Sequence, residues 1–371
     1  MADPISQLVH RHLDTTFPGA VVGVTHRGHT VYRRAFGARE LHPVQKPMTL
    51  NTIFDLASLT KPLSTTLLTL MVFEQRGIPL DSPVGELLSD VPAETGKRTV
   101  RSLLAHTAGF PATPRLERAF TDPDRATRHE ARRVIRAMSP QVPEGREVIY
   151  SCTGFVLLGE LLEELTGRRL DLLFAEMIAR PLHLEYLGYH PRDKHIRSDT
   201  MDRCETGANV AATEFCAWRK QWICGEVHDE TAWCLGGVSG NAGLFGTLSS
   251  VQQLLNVLLC SLRSTSNSCN QLFSKDLLQQ AVMVQTGGLP GTRGLGFQLG
   301  TPDNSAGPDL SDRAFGHTGF TGTSFWVDPD QELIVVALSN RVHLGRSATT
   351  RPLLEFRRSL NSLAVELVRG R

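Results

Sequence analysis

The sequence predicts an α+β fold in which one antiparallel sheet is assembled from both ends of the chain and a mostly helical domain is inserted between them. Three observations carry this expectation. Alternating, β-branched text occurs early, in "GAVVGVTHRGHTVYRRAFGARE", and returns late, in "TSFWVDPDQELIVVALSN". Between about residues 58 and 180 the apolar positions instead recur at helical spacing. The expected division is residues 1–56 and 240–371 for the sheet-bearing domain and 57–239 for the helical one, with the active site at their interface.

Taken in order, a charged first segment carries His10 and His12 and reads as a solvated helix. A hairpin turning at Arg27 and Gly28 follows. "PLSTTLLTLMVFEQRG", "VRSLLAHTAG", "TRHEARRVIRAMS" and "TGFVLLGELLEELTG" read as helices, the last closing on glycine. Residues 181–240 are irregular and rich in Trp, His and Cys. Past the glycine-rich turn "GGVSGNAGLFGT" come a helix, "LSSVQQLLNVLLCSL", and a polar loop, "RSTSNSCNQ". A second hairpin turns around Asp328 to Asp330, and a helix from about Arg351 to Val368 closes the chain.

Composition narrows the function classes. With 371 residues, 41% hydrophobic and 21% charged, the chain is an ordinary globular protein able to bury a sizeable core. A net charge of +1 and the lack of a basic run interleaved with aromatics argue against nucleic acid and against an anionic membrane surface. No stretch approaches the ~18 uninterrupted apolar residues of a membrane span. The amino terminus lacks the apolar core of a secretory signal. The seven cysteines have neither C-x-x-C nor metal-ligand spacing, so the expectation is a reduced, cytoplasmic protein. Nothing in the sequence sets an oligomeric state.

The chemistry concentrates in "FDLASLTKPLSTTLLTLMVFEQRG", residues 54–77. Ser58 at the mouth of an apolar helix has an ordinary reading as an N-cap. Lys61 does not fit that reading, because a cation one turn into a helix is disfavoured by roughly 0.3 to 1 kcal/mol. Spacing of three brings its side chain to Ser58. A desolvated lysine there is expected to be a neutral amine and a base for the hydroxyl. This S-x-x-K is the only one in a chain of six lysines. Tyr150, in a loop before a helix, and His317, Thr318 and Gly319, beside a late strand, supply a proton shuttle and an open edge for substrate. Taken singly, Tyr150 reads equally well as a half-buried aromatic, and "HTG" as a turn before a strand.

With these residues in place the sequence resembles the serine β-lactamase and penicillin-binding-protein-like family, in particular its class C and esterase-like branch. Ser58-Leu59-Thr60-Lys61 matches its S-x-x-K box, Tyr150-Ser151-Cys152 its Y-x-N box and His317-Thr318-Gly319 its K-T-G box. "LLAHTAGFP" (103–111), "GVSGNAGLFGT" (237–247), "GLGFQLG" (294–300) and "VDPDQELIVVALSNRVH" (327–343) match as well, and the likeness covers roughly residues 15 to 368. The resemblance implies the β-lactamase/transpeptidase-like fold and acyl transfer without cofactor or metal. Ser58 would attack a carbonyl, Lys61 and Tyr150 would together move its proton, and the backbone N–H groups of Ser58 and Phe320 would form the oxyanion hole.

Two departures from the family pattern matter. Cys152 stands where the family has Asn, and a thiol cannot supply an amide's carbonyl and NH2. His317 replaces the Lys of the third box, and a neutral imidazole grips a carboxylate weakly. Both lean toward an uncharged substrate. The leading expectation is a carboxylesterase acting on small acyl esters. A D-aminopeptidase or DD-peptidase comes second, a β-lactamase third, and a non-catalytic binding protein on the same fold last. The partners implied are a small ester or a D-amino-acid peptide. His228, Asp229, Asn241 and Arg341 have ordinary structural readings beside functional ones; for Arg341 that reading is a surface pair.

Overall fold

The computed structural model describes residues 3–189, 209–263, 272–346 and 350–370. In chain order its strands are β1 (Gly19–His26), β2 (His29–Glu40), β3 (Lys46–Pro47), β4 (Phe54–Asp55), β5 (Leu187–Tyr189), β6 (Phe215–Cys216), β7 (Gln221–Trp222), β8 (Leu244–Gly246), β9 (Gln298–Leu299), β10 (Phe315–Thr318), β11 (Ser324–Asp328) and β12 (Leu333–Ser339). Seven of them form one antiparallel sheet, ordered β3-β2-β1-β12-β11-β10-β9. The pairing of β1 with β12, Val22 opposite Ala337, joins the two ends of the chain as expected.

The two hairpins form where the turn chemistry allows them. Arg27 and Gly28 both have positive φ, 51° and 76°, the backbone of a primed turn that matches strand twist. At the second hairpin the Asp328 carboxylate accepts from the N–H groups of Asp330 (3.0 Å) and Gln331 (3.1 Å), fixing the reversal.

Helices cover both faces of the sheet. Val22, Val24, Val335 and Ala337 pack against Ile5, Leu8, Phe356 and Leu360 of the helices Pro4–His12 and Thr350–Arg369. Val21, Ile334, Val336 and Leu338 face the larger core, which includes Val251, Leu254 and Leu258 of the helix Leu248–Arg263. The first helix is therefore docked rather than solvated all round: His10 stays exposed, but His12 is half-buried with its ring 5.2 Å from that of Phe356.

A second, three-stranded sheet, β4-β8-β5, was not legible in the sequence, because strands of two or three residues carry no periodicity. It matters for position. Asp55 of β4 pairs with Phe245 of β8, so the segment leading to Ser58 is clamped to the glycine-rich turn. That turn in turn meets the helix Cys152–Thr166 at Gly240, where a Cβ would lie 2.0 Å from the Phe155 carbonyl oxygen. The loop 263–271 falls largely outside the described residues, as do residues 190–208. No described helix is long and apolar enough to cross a membrane.

Candidate active site

Ser58 lies in a 3-10 turn, Ala57–Leu59, just after β4. Ala57 has φ 48°, a left-handed conformation that a residue with a Cβ adopts only when its surroundings impose it. The constraint is Asp55. Its buried carboxylate accepts from the Ala57 N–H (2.8 Å) and, with its other oxygen, from the His228 N–H (2.6 Å). Burial raises the pKa of Asp55, against the pull of those bonds. Ser58 is not the N-cap of the following helix, since no capping bond comes from its side chain. Its Oγ instead accepts from Lys61 Nζ at 3.0 Å. The helix begins as a six-residue π-helical stretch, Lys61–Thr66, before Leu67–Arg76 continues as α-helix; such widened turns recur at functional sites.

Lys61 is fully buried, 0% exposed. Its Nζ donates to Ser58 Oγ, to the Asn241 carbonyl (3.0 Å) and to Cys152 Sγ (3.5 Å). Those three acceptors use all three donors of an ammonium. Burial alone would lower its pKa, but Cys152, Tyr150 and Asp229 outweigh burial and raise it above the ordinary lysine value. The neutral amine expected from the helix position is therefore not the resting form, because neighbours outside the helix decide the charge.

Tyr150 enters from the loop before the helix Cys152–Thr166, whose first turn is capped by Ser151 (Oγ accepting from Gly154 N–H, 3.2 Å). Lys61 Nζ lies 5.0 Å from the centre of the Tyr150 ring. The ring is flanked by His106 (4.7 Å between centroids) and His317 (5.8 Å). The backbone N–H of Ser151 donates to His106 Nδ1 at 3.0 Å, which fixes the loop carrying Tyr150. His106 was quoted in the sequence only as surrounding text. Its φ of 62° and its burial are tertiary features that no local pattern announces.

His317 is the penultimate residue of β10, and the turn after that strand, residues 319–323, is stitched to the nucleophile turn. Thr321 Oγ1 donates to the Asp55 carbonyl (2.8 Å) and Thr323 Oγ1 to that of Leu56 (3.1 Å). Gly319 is required there: a Cβ would stand 2.7 Å from Leu56 O and 3.4 Å from Ala57 Cβ. His317 Nδ1 meets the Thr318 carbonyl at 2.9 Å, so Nδ1 carries the hydrogen and Nε2, which has no partner among the described residues, is the acceptor. Burial, reinforced by Arg293 and Lys61, holds the pKa of His317 well below its ordinary value and keeps the ring neutral. Arg357, from the carboxy-terminal helix, donates to the carbonyls of Gly319 (3.3 Å) and Thr323 (2.8 Å).

Ser58, Tyr150, Cys152, His317, Thr318, Gly319 and Phe320 thus line one cavity of about 490 Å3, with Lys61 buried behind Ser58. All eight residues expected of the site come together. The chain matches the Beta-lactamase family over residues 5–358.

The chain belongs to the β-lactamase family.

Among its relatives, a protein of Escherichia coli O157:H7 provisionally named D-alanyl-D-alanine carboxypeptidase is 30% identical, over 90% of this chain and 81% of that one. The N-acetylmuramyl-L-alanine amidase of Bacillus subtilis (strain 168) is 29% identical, over 91% and 80%. In structure the chain resembles EstCE1, a hydrolase with promiscuous acyltransferase activity, with a TM-score of 0.71 at 22% identity over 96% of this chain and 97% of that one. Simvastatin synthase (LovD) from Aspergillus terreus aligns over 100% of both chains, with a TM-score of 0.71 at 20% identity. These likenesses show the β-lactamase/transpeptidase-like fold, and the family shows a serine hydrolase.

Within that family frame the far wall of the cavity differs from what the sequence suggested. Arg341 is buried rather than at the surface, and its Nε donates to the Phe320 carbonyl at 2.8 Å. Phe320, 46% exposed, is stacked between the Arg341 guanidinium (4.7 Å) and the His228 ring (5.6 Å). His228 and Asp229 both border the cavity. Behind them Glu214 lies 3.1 Å from His228 Nε2 and pairs with Arg346; burial would raise its pKa, but these partners pull it down to about 2. Asn241 reaches the site through its backbone, while its side chain is spent on Ser239 and Asp229. Among the described residues no cluster of three His, Cys, Asp or Glu side chains could hold a metal.

Proposed function

We propose that this chain is a carboxylesterase that cleaves acyl esters through an acyl-enzyme on Ser58. The observation that carries the reading is the contact between the buried Lys61 ammonium and the Ser58 hydroxyl, set beside Tyr150 at the edge of the cavity. Lys61 and Tyr150 exchange protons as a unit, and the pair acts as base once it has lost one proton. It then takes the Ser58 proton as Oγ attacks the ester carbonyl, and returns it to the leaving oxygen. The backbone N–H groups of Ser58 and Phe320 receive the developing oxyanion. Water repeats the sequence and frees the acid. The cavity lies between two domains, residues 1–56 with 240–371 and residues 57–239.

Esters are favoured over amides by Cys152. In place of an amide that could grip a substrate N–H, the site presents a sulfur engaged by Lys61 at 3.5 Å. An amide leaving group needs firmer positioning and a firmer proton delivery than an alkoxide or phenoxide. The experiment is the initial rate of p-nitrophenyl butyrate hydrolysis by the wild type and by Ser58→Ala, with a chromogenic β-lactam alongside. Ser58-dependent ester turnover with little β-lactam cleavage supports the proposal. An ester rate that is unchanged in Ser58→Ala overturns it.

A second reading, hydrolysis of peptides ending in D-amino acids, is favoured by the carboxypeptidase name carried by a relative 30% identical. Release of D-alanine from a peptide ending in D-Ala-D-Ala, faster than ester turnover, would put this reading first. As to location, free thiols at Cys152 and Cys216 support a cytoplasmic home, while the disulfide at Cys260 supports an oxidising one. Cell fractionation separates the two.

A further inference from the structure

His228 is 4% exposed and borders the cavity. Its backbone and its ring make separate contacts, and each leads to one of the two proposed oxyanion donors. The backbone N–H donates to one oxygen of the Asp55 carboxylate at 2.6 Å, while the other oxygen accepts from the Ala57 N–H at 2.8 Å. Ala57, with its left-handed backbone, immediately precedes Ser58, so the Ser58 N–H lies one peptide from that anchor. The ring of His228 lies 5.6 Å from that of Phe320 at an interplanar angle of 25°, a stacked arrangement. Phe320 carries the second donor.

The His228 ring is itself fixed from behind. Glu214, 7% exposed, sets a carboxylate oxygen 3.1 Å from Nε2 and accepts from Arg346 Nε at 2.6 Å. A carboxylate at one ring nitrogen holds an imidazole in a single orientation, since turning the ring gives up that partner. The main chain is held as well. Arg219 donates from Nη1 to the Val227 carbonyl at 2.8 Å and from Nη2 to the His228 carbonyl at 2.5 Å, with its guanidinium 5.2 Å from the centre of the Trp233 ring.

We propose that His228 is the positioning residue of the oxyanion hole: it sets the Phe320 N–H against the Ser58 N–H by stacking on one turn and bonding to the other through Asp55. The two donors come from separate turns, and a hydrogen bond to a developing oxyanion weakens steeply as its distance and angle depart from the optimum. Removing the ring of His228 opens space into which the Phe320 ring can swing, carrying its peptide with it. The backbone bond to Asp55 survives such a substitution, so the Ser58 donor is spared and the loss reports on Phe320. This inference rests on the acyl-enzyme reading, which supplies the oxyanion.

The test sets His228→Ala, His228→Gln and His228→Phe beside the wild type in two assays, with a thermal melt on each sample. One is turnover of p-nitrophenyl butyrate. The other is calorimetric binding of propylboronic acid, whose boron replaces the butyryl carbonyl carbon, bonds to Ser58 Oγ and puts an oxygen in the hole without turnover. In His228→Ala kcat is expected to fall about 10- to 100-fold at nearly unchanged KM, with boronate affinity falling by a similar factor. His228→Gln, which offers Glu214 a partner but no ring, is expected to be as slow as His228→Ala. His228→Phe, a ring without its carboxylate, is expected to lie between His228→Ala and the wild type. Ser58-dependent turnover and boronate binding that both stay within about threefold in His228→Ala overturn the role of His228 and leave the esterase reading standing. A slower His228→Ala with undiminished boronate affinity overturns it too, because the hole is then intact. Ser58-dependent boronate binding that His228→Ala weakens, without ester turnover by the wild type, supports His228 and overturns the esterase reading. Absence of any Ser58-dependent boronate adduct or turnover overturns both.

Discussion

Gly319→Ala places a methyl group where the site has no room for it. Its Cβ would stand 2.1 Å from Thr323 Oγ1 and 2.7 Å from the Leu56 carbonyl oxygen. Thr323 Oγ1 cannot swing aside without giving up its bond to Leu56 O, and Leu56 O is backbone next to Ala57. An ordinary C···O contact is about 3.3 Å, so the turn carrying Phe320 must retreat from the Ser58 turn by roughly 0.6 Å. Overpacking of this kind costs about 1–3 kcal/mol of stability. The larger effect is expected on chemistry, since the Phe320 N–H is the proposed oxyanion donor. A displacement approaching 1 Å lowers kcat by about 100-fold. The assay is p-nitrophenyl butyrate hydrolysis with a thermal melt on the same samples. Adding Thr323→Ala removes the closest clash but leaves Leu56 O, so it restores only part of the rate. A folded Gly319→Ala with kcat within about threefold of the wild type would refute the reasoning that couples these two turns.

Four further outcomes follow from the same geometry. Arg357→Met removes the bonds to the Gly319 and Thr323 carbonyls, and with them a buried guanidinium whose pKa burial pulls down to about 9. The desolvation cost disappears along with the bonds, so kcat is expected to fall about tenfold while the melting temperature moves little; a lower melting temperature with unchanged kcat contradicts the positioning role. His106 and His317 are both held neutral well below the ordinary histidine pKa by burial. The unfolded chain therefore binds more protons than the folded one as pH drops below about 6.5. Stability is full above that value and is lost as pH falls below it, and His106→Gln or His317→Gln should flatten the slope measured by urea unfolding. Because the Lys61 pKa is raised, kcat/KM should climb as pH rises into the alkaline range, and Tyr150→Phe should abolish most of the rate at every pH. Cys152→Asn, which supplies a carbonyl to Lys61 and an NH2 to substrate, should raise β-lactam turnover relative to ester turnover; an unchanged ratio would remove Cys152 from the account of ester preference.

Much of this was legible because the determining pattern is local. The β1–β2 hairpin is announced by alternation and by a turn at Arg27 and Gly28, and β12 by an apolar run centred on β-branched Ile334, Val335 and Val336. Ser58 and Lys61 stood out because a lysine at the start of an apolar helix needs an explanation. What sequence could not supply was the company each residue keeps. The charge on Lys61 is decided by Cys152, Tyr150 and Asp229, 91, 89 and 168 positions away along the chain. Arg357 looks like one polar residue on a terminal helix until the fold lays it against Gly319. Arg293 sits in "TRGLGFQLG" as an unremarkable loop residue, and only the fold places it on the cavity wall. The clamp of β4 to β8 went unseen because two residues make no period, although it fixes the strained turn at Ala57.

The most direct test of the central claim is to quench the enzyme during turnover of p-nitrophenyl butyrate and map the acylated peptide by mass spectrometry. One butyryl group on the peptide containing Ser58, absent in Ser58→Ala and accumulating in Tyr150→Phe if deacylation is the slower step, is the result expected. Turnover without an adduct on Ser58, or an adduct on Cys152 in its place, would contradict the assignment of the nucleophile.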